Sequence, residues 1–342
     1  MSVTQRLSAA LHEHGAWQLL ATIAQRGAQT SSLALQRHLL GRRFIEKRIH
    51  DYRLLLDADD PGIGRQLLTR AGREPEQAFI VERTLAPGKV AFDLGANVGY
   101  YTIMMAKLVG AGGRVYAVEP FPQSYDLLEE NVRRNELDNV STDNIAIGAE
   151  DGEAQLQLAR KSNWHSLHAP RLNASIPWLA KYARTMVGSM PVRTRSLRSY
   201  LADKQSIDLL RMDLEGYEVQ ILTSLSELPR GHRHRMKILF ETHPEFYDCT
   251  ANDMRGALEQ LCVTHGYGFE YLISDFQHGS RRNADVECGR DVFARHGYTE
   301  RHIVRDVGSR AIYTNVRTED AIDLVCTSEC VHAALMTPED VR

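Results

Sequence analysis

A chain of 342 residues with 43% hydrophobic and 25% charged side chains has the composition of a globular protein, long enough for one large domain with additions or for two. Lys and Arg number 41 and Asp and Glu 44, a formal charge of -3, which excludes a strongly basic nucleic-acid binder as the default reading. No apolar run approaches the roughly 18 residues of a membrane span. His12, Glu13 and His14 break up the N-terminal apolar positions, so no secretory leader is expected either. Five scattered cysteines, Cys249, Cys262, Cys288, Cys326 and Cys330, suit free thiols in a reducing cytoplasm. Cys326 and Cys330 are spaced to share a helical face, but no second pair at metal-finger spacing accompanies them.

Leu7, Leu11, Leu20 and Ala24 recur at helical spacing, and so do Leu35, Leu39, Ile45, Ile49 and Tyr52. Residues 5–26 and 32–56 are therefore expected to be amphipathic helices, with 1–50 as an N-terminal helical extension. A lead-in segment over 51–88 contains the turn-rich "DADDPGIGR". From Lys89 short apolar runs alternate with helical patterns. Strands are expected over 90–95, 114–120 and, more weakly, 139–148, with helices over 98–110 and 122–135 between them. Residues 153–159 alternate like an antiparallel strand. Buried strands follow at 207–213 and 236–242, separated by a helix from about Tyr217. A helix at 251–265, a strand at 267–273 and a last strand at 310–316 complete the pattern. Such alternation predicts an α/β domain over 89–316, its mainly parallel sheet covered on both faces. Residues 160–195 form a possible lid or substrate loop, and 317–342 a C-terminal tail.

The chemistry collects at the carboxyl ends of the strands, where open parallel sheets bind ligands. In "VAFDLGANVGYYT" a strand runs through Asp93 into Gly95, Asn97 and Gly99 and then a helix. The glycines permit a tight turn and close approach of a ligand to the backbone, but their spacing is not the three-glycine dinucleotide pattern. A carboxylate at Asp93 suits a cationic ligand better than a phosphate. The next strand ends at Glu119, placed to accept hydrogen bonds from ribose hydroxyls. Asp143 or Asn144 would lie near an adenine or form a simple turn. "DLLRMDLEGYE" ends a strand in Asp213, Glu215 and Glu218, and "LFETHPE" ends the next in Glu241 and His243. Acidic groups and an imidazole at the ends of apolar strands are costly unless paired or functional.

"FDLGANVGYYT", "AVEPFP", "NIAIG", "DLLRMDLEGYE" and "ILFETHPE", in that order, resemble the FkbM-type family of S-adenosylmethionine-dependent methyltransferases over roughly residues 52–275. "YRLLLDADDPGIGRQLL" and "REPE" resemble the segment that precedes the domain there. The resemblance implies a doubly wound, Rossmann-like class I methyltransferase sheet. It implies that Asp93, Gly95, Asn97, Gly99 and Glu119 hold S-adenosylmethionine, and that Asp213 with the adjoining acidic turn faces the reaction centre. It implies O-methylation of a small-molecule or glycan hydroxyl, on a sugar, polyketide or glycolipid. An alcohol acceptor needs a base or a metal ion to lose its proton. Asp213 and His243 are the candidate bases, with Glu241 beside them. Asp213, Glu215 and Glu241 are an alternative Mg²⁺ ligand set, and His165 in the irregular segment is a candidate substrate contact. A nicotinamide-dependent oxidoreductase is disfavoured by Asp93 and the missing third glycine. A non-catalytic cofactor-binding module stays open. A nucleic-acid substrate is disfavoured by the charge. The N-terminal helices are expected to pack against the sheet, to form a homo-oligomer contact or to carry a substrate partner, and their composition does not choose among these.

Overall fold

Residues 43–168, 185–204, 206–247, 252–275, 289–298, 303–307, 310–328 and 330–341 are described by the structure, a computed structural model. The expected helix at 5–26 lies outside them. The second expected helix is corrected where it can be seen: Phe44–Ile49 (β1) and Tyr52–Asp57 (β2) form an antiparallel hairpin, paired from Phe44 with Asp57 to Ile49 with Tyr52. Ile45 and Ile49 are four apart, a spacing that fits one helix face and one strand face equally. Tyr52, Leu54 and Leu56 settle the period at two, and all three are buried. Asn131 clamps the hairpin to the rest of the fold, its amide donating to Leu55 O and Val98 O while its oxygen accepts from Leu55 N.

The central sheet has nine strands among the described residues, in the order β12-β13-β11-β14-β10-β9-β3-β4-β5. Val90–Leu94 (β3), Arg114–Val118 (β4) and Val140–Asp143 (β5) lie on one side. Leu209–Met212 (β9) and Lys237–Glu241 (β10) lie on the other, and all five run parallel. The chain order thus reverses between β3 and β9, which opens a crevice at the carboxyl ends of those strands. β3 and β9 read as continuous apolar runs because both faces are covered, by one cluster around Phe92, Tyr200 and Ile221 and another around Leu67, Met105 and Ile103.

The expected weak strand at 139–148 splits. Val140–Asp143 pairs with β4, whereas Ala146–Gly148 (β6) joins Gly152–Ala159 (β7) and Met186–Ser196 (β8) in a small separate sheet. β7 and β8 are antiparallel, as the alternation of 153–159 predicts.

The segment expected to be a tail is structural. After the helix Thr318–Thr327, Val331–Pro338 (β14) inserts between β10 and Tyr267–Asp275 (β11), antiparallel to both. Arg310–Thr314 (β13) and Ile303–Val307 (β12) close that edge. The sheet therefore continues past residue 316. Cys326 lies in the helix and Cys330 beyond its end, so they do not share one helical face.

Candidate functional site

Two strand ends build the first wall of the crevice. Past Leu94 the chain turns through Gly95 and Asn97, both at positive φ (75° and 48°), before Gly99 at 88° opens the helix Tyr100–Val109. Gly95 N and Ala96 N donate to Val118 O, which ties the turn to the end of β4. A Cβ on Gly95 would sit 2.5 Å from Asp213 O, and one on Gly99 would sit 2.8 Å from Leu128 Cδ1. Gly95 is thus the point where the β3 and β9 loops touch, and Gly99 lets the helix lie on its neighbour. Gly95→Ala should lose more stability than the ~1–2 kcal/mol that left-handed backbone alone costs a residue with a Cβ, because the clash is with backbone. Denaturant titration beside ligand-binding calorimetry checks this, and a variant as stable as wild type would sink it.

Glu119 follows β4 and is 5% exposed. Its Oε2 accepts from Asn97 N at 2.9 Å and its Oε1 from Phe121 N at 2.9 Å. Burial pushes its carboxyl up to about 7, against the pull of those two backbone donors. Asn144 holds the same loop, its amide donating to Glu119 O and Pro120 O. Asp143 faces elsewhere, accepting from Tyr200 Oη at 2.7 Å.

The second wall comes from the end of β9. Glu218 is fully buried at the start of the helix Glu218–Ser226, and its two oxygens accept from Leu214 N and Gly216 N. Those bonds pull the acidic turn tight, with Glu215 and Gly216 both at positive φ. Burial alone would raise the Glu218 carboxyl, but the His243 ring and the backbone donors outweigh it and hold it below the usual carboxylate range. His243, 6% exposed, lies among carboxylates: Nδ1 is 3.1 Å from Glu218, and Nε2 is 3.6 Å from Glu215 and 4.0 Å from Glu241.

Sequence reasoning did not find the two buried arginines. Arg211, 3% exposed, pairs with Asp93 at 3.3 Å and Asp213 at 3.2 Å and stacks over the Tyr101 ring at 4.2 Å. Arg73 reaches Asp213 at 3.5 Å and Glu241 at 3.8 Å, and also pairs with Glu74. Burial opposes both positive charges, but the surrounding carboxylates more than restore them, and both guanidiniums stay charged. Gln77 Nε2 donates to Glu241 at 2.6 Å. The signal for Arg211 was present but unread: an arginine inside an apolar strand, two residues before an aspartate.

Gly95, Asn97, Glu119, Arg73, Arg211 and Asp213 all line one cavity. Residues 162–167 cover it, with Ser162 bonded to the Asp60 carboxylate at one end and Ser166 Oγ bonded to Leu214 O and Glu215 O at the other. Asp93 does not line this cavity. It is 0% exposed, accepting from Thr102 Oγ1 at 2.6 Å and paired with Arg211. The parallel register sets Asp93 opposite Arg211, which takes up its charge. Gly99, Asp143 and Asn144 are also outside the lining, while Glu241 and His243 stand behind Asp213. Among the described residues, Asp213, Glu241 and His243 bring ligand atoms within 4.8 Å of one another, in place of the expected set with Glu215. Arg73 already lies against two of those three.

The donors fit S-adenosylmethionine. A glycine cradle adjoins a buried carboxylate suited to ribose hydroxyls, and Arg211 Nε is a buried donor with no partner, beside the cavity. A family model described as the methyltransferase FkbM domain matches residues 93–271. A curated relative, the 31-O-demethyl-FK506 methyltransferase FkbM of Streptomyces tacrolimicus, is 27% identical over 207 residues, covering 54% of this chain and 74% of that protein. The protein-L-isoaspartate O-methyltransferase of Caenorhabditis elegans is 29% identical over 97 residues, 28% of this chain and 42% of that protein, so this chain spans less than half of that relative. Among solved structures, M. jannaschii TYW2 in complex with AdoMet overlays at a TM-score of 0.38 with 12% identity, covering 87% of each chain. Pyrococcus abyssi Trm5b overlays at 0.37 with 15% identity, covering 86% of this chain and 56% of that one. With that domain matched over more than half of its length, the chain belongs to the FkbM family of S-adenosylmethionine-dependent methyltransferases.

Proposed function

We propose that this protein transfers a methyl group from S-adenosylmethionine to a hydroxyl oxygen of a small-molecule or glycan acceptor. The observation that carries the reading is the position of Asp213: its carboxylate lines the same cavity as Gly95, Asn97 and Glu119. Bound there, the cofactor supplies an activated methyl group, so the protein's work is to position the acceptor and receive its proton.

The backbone of Gly95–Asn97 and the Glu119 carboxylate hold the nucleoside. Arg73 and Arg211 lie toward the other end, where a carboxylate and an ammonium group must both be met, and the surplus of carboxylates around them favours the cation. Asp213 Oδ1 or Oδ2 takes the proton of the acceptor hydroxyl as the oxygen forms its new bond. Arg211 and Arg73 fix the orientation of Asp213, and His243 and Glu241 support it from behind. Charge balance at this rim is assigned to the arginines rather than to a metal ion. The segment 162–167 excludes water from above. The S. tacrolimicus relative is named for methylation at an oxygen, which supports the same acceptor chemistry. No helix among the described residues is long and apolar enough to cross a membrane.

The test is incubation with S-adenosylmethionine and a panel of hydroxylated acceptors, followed by mass spectrometry. A methyl ether together with S-adenosylhomocysteine supports the reading. A methylated nitrogen or carboxylate instead would overturn the acceptor class.

Glu119 gives a pH signature. Its carboxyl must be ionised to accept from two hydroxyls, and in the free protein it ionises only near pH 7. The affinity for S-adenosylhomocysteine should therefore rise about tenfold from pH 6 to pH 8, and Glu119→Gln should flatten the profile. The free protein should show the opposite trend. With the folded value raised above 4.5, the stability contributed by Glu119 is fully present below 4.5 and is lost as pH rises through about 7. Calorimetric titration across that range measures the first and denaturant unfolding of the free protein the second, and a flat wild-type affinity profile would remove Glu119 from the ribose site.

A further inference from the structure

One side chain that lines the cavity carries a buried donor with no partner among the described residues. His165 lines the cavity beside Ser162 and Asn163. Its Nδ1 accepts from Ala159 N at 3.0 Å, which fixes the tautomer: with Nδ1 an acceptor, a neutral ring carries its proton on Nε2. Burial pushes the imidazole down to about 4, against a weak opposing pull from Asp60, so the ring is neutral near pH 7. Nε2 is itself buried and has no hydrogen-bond partner among the described residues. A buried donor left unmade is a standing cost, and such groups in folded proteins call for an explanation.

The neighbours say which end of the cavity it serves. His165 packs edge-on against Phe121, with ring centroids 4.3 Å apart at 68°. Phe121 N in turn donates to Glu119 Oε1. His165 therefore stands by the loop that follows β4, beside the Glu119 carboxylate that the proposed function gives to the nucleoside. A purine nucleoside offers acceptors on its ring nitrogens and ribose oxygens. The segment 162–167 is anchored on both sides by Asp60 and by the Leu214–Glu215 carbonyls, so the donor is held in place before any ligand arrives.

We propose that His165 is a positioning residue for the cofactor, its Nε2–H donating to an acceptor on the nucleoside. The inference rests on the functional reading above and adds to it a contact from the cover. It gives the cover a reason to close on the nucleoside whatever the acceptor is.

Two substitutions separate this role from a purely structural one. His165→Asn keeps an oxygen that can accept from Ala159 N and deletes the donor at the Nε2 position. His165→Gln reaches the Nε2 position with an amide N–H and gives up the bond to Ala159. Each full-length variant is titrated calorimetrically with S-adenosylhomocysteine, with no acceptor present, and its thermal unfolding is recorded. The expected result is affinity weakened roughly three- to tenfold in His165→Asn at unchanged thermal stability. His165→Gln should bind closer to wild type despite a lower melting temperature. The reverse order, with His165→Asn binding like wild type, would overturn the proposal, whether the ring is purely structural or its donor serves the acceptor. Glu119→Gln is the control for the underlying reading. If wild type binds S-adenosylhomocysteine and Glu119→Gln binds it with a flattened pH profile, the cofactor site stands whatever His165 does. If wild type fails to bind it, both readings fall together.

Discussion

Asp213→Asn is expected to lower kcat by about 10²–10⁴-fold, the range for loss of a positioned general base, while leaving affinity for S-adenosylhomocysteine within a few-fold of wild type. The substitution keeps the shape of the side chain and removes its ability to take a full proton. It should not collapse the site, because the charge that Arg211 and Arg73 lose at Asp213 leaves them still facing Asp93, Glu74 and Glu241. The prediction also separates the two candidate bases. His243 does not line the cavity and has Glu218, Glu215 and Glu241 around it, so the two candidates respond differently to this substitution. If His243 were the base, Asp213→Asn would retain most of its turnover. Measuring kcat and the ligand affinity on the same preparations decides between them, and a kcat within threefold of wild type would move the base to His243.

The parts of this molecule that local pattern determines were legible in the sequence. β3, β4, β9 and β10 could be read because a strand buried on both faces is a short apolar run bounded by turns, and the glycine turn after β3 could be read because only glycine tolerates the approach of Asp213 O. From those strand ends the rim residues Glu119, Asp213, Glu241 and His243 follow. What failed was whatever depended on pairing between distant segments. The hairpin at 44–57 was mistaken for a helix because Ile45 and Ile49 fit either period. β14 was taken for a tail because nothing in "VHAALMTP" tells that it threads between β10 and β11. The charge partner of Asp93 is hidden from local pattern for the same reason. That partner, Arg211, is 118 residues away, and only the register of β3 on β9 brings the two together. The role of Arg73 is further still from legible, since it reaches Asp213 across 140 residues.

That register carries the second large expected effect. Arg211→Met replaces the guanidinium by an unbranched apolar chain that can occupy the strand position. It leaves Asp93, 0% exposed, with Thr102 as its remaining hydrogen-bond donor among those described. Removing one partner of a buried pair costs about 3–5 kcal/mol, because the charge left behind has no water to turn to. The variant should therefore unfold at markedly lower denaturant near pH 7. The double variant Arg211→Met with Asp93→Asn removes both charges and should recover a good part of the loss, a coupling that a mere cavity at position 211 would not produce. If the two substitutions instead add, Asp93 does not depend on Arg211 for its charge, and the arginine belongs to the ligand alone. Cofactor affinity in the double variant then separates the two duties of Arg211. Stability regained with binding still lost would mean that the guanidinium both neutralises Asp93 and meets the ligand, so that one buried cation links the fold of β3 and β9 to the site they open.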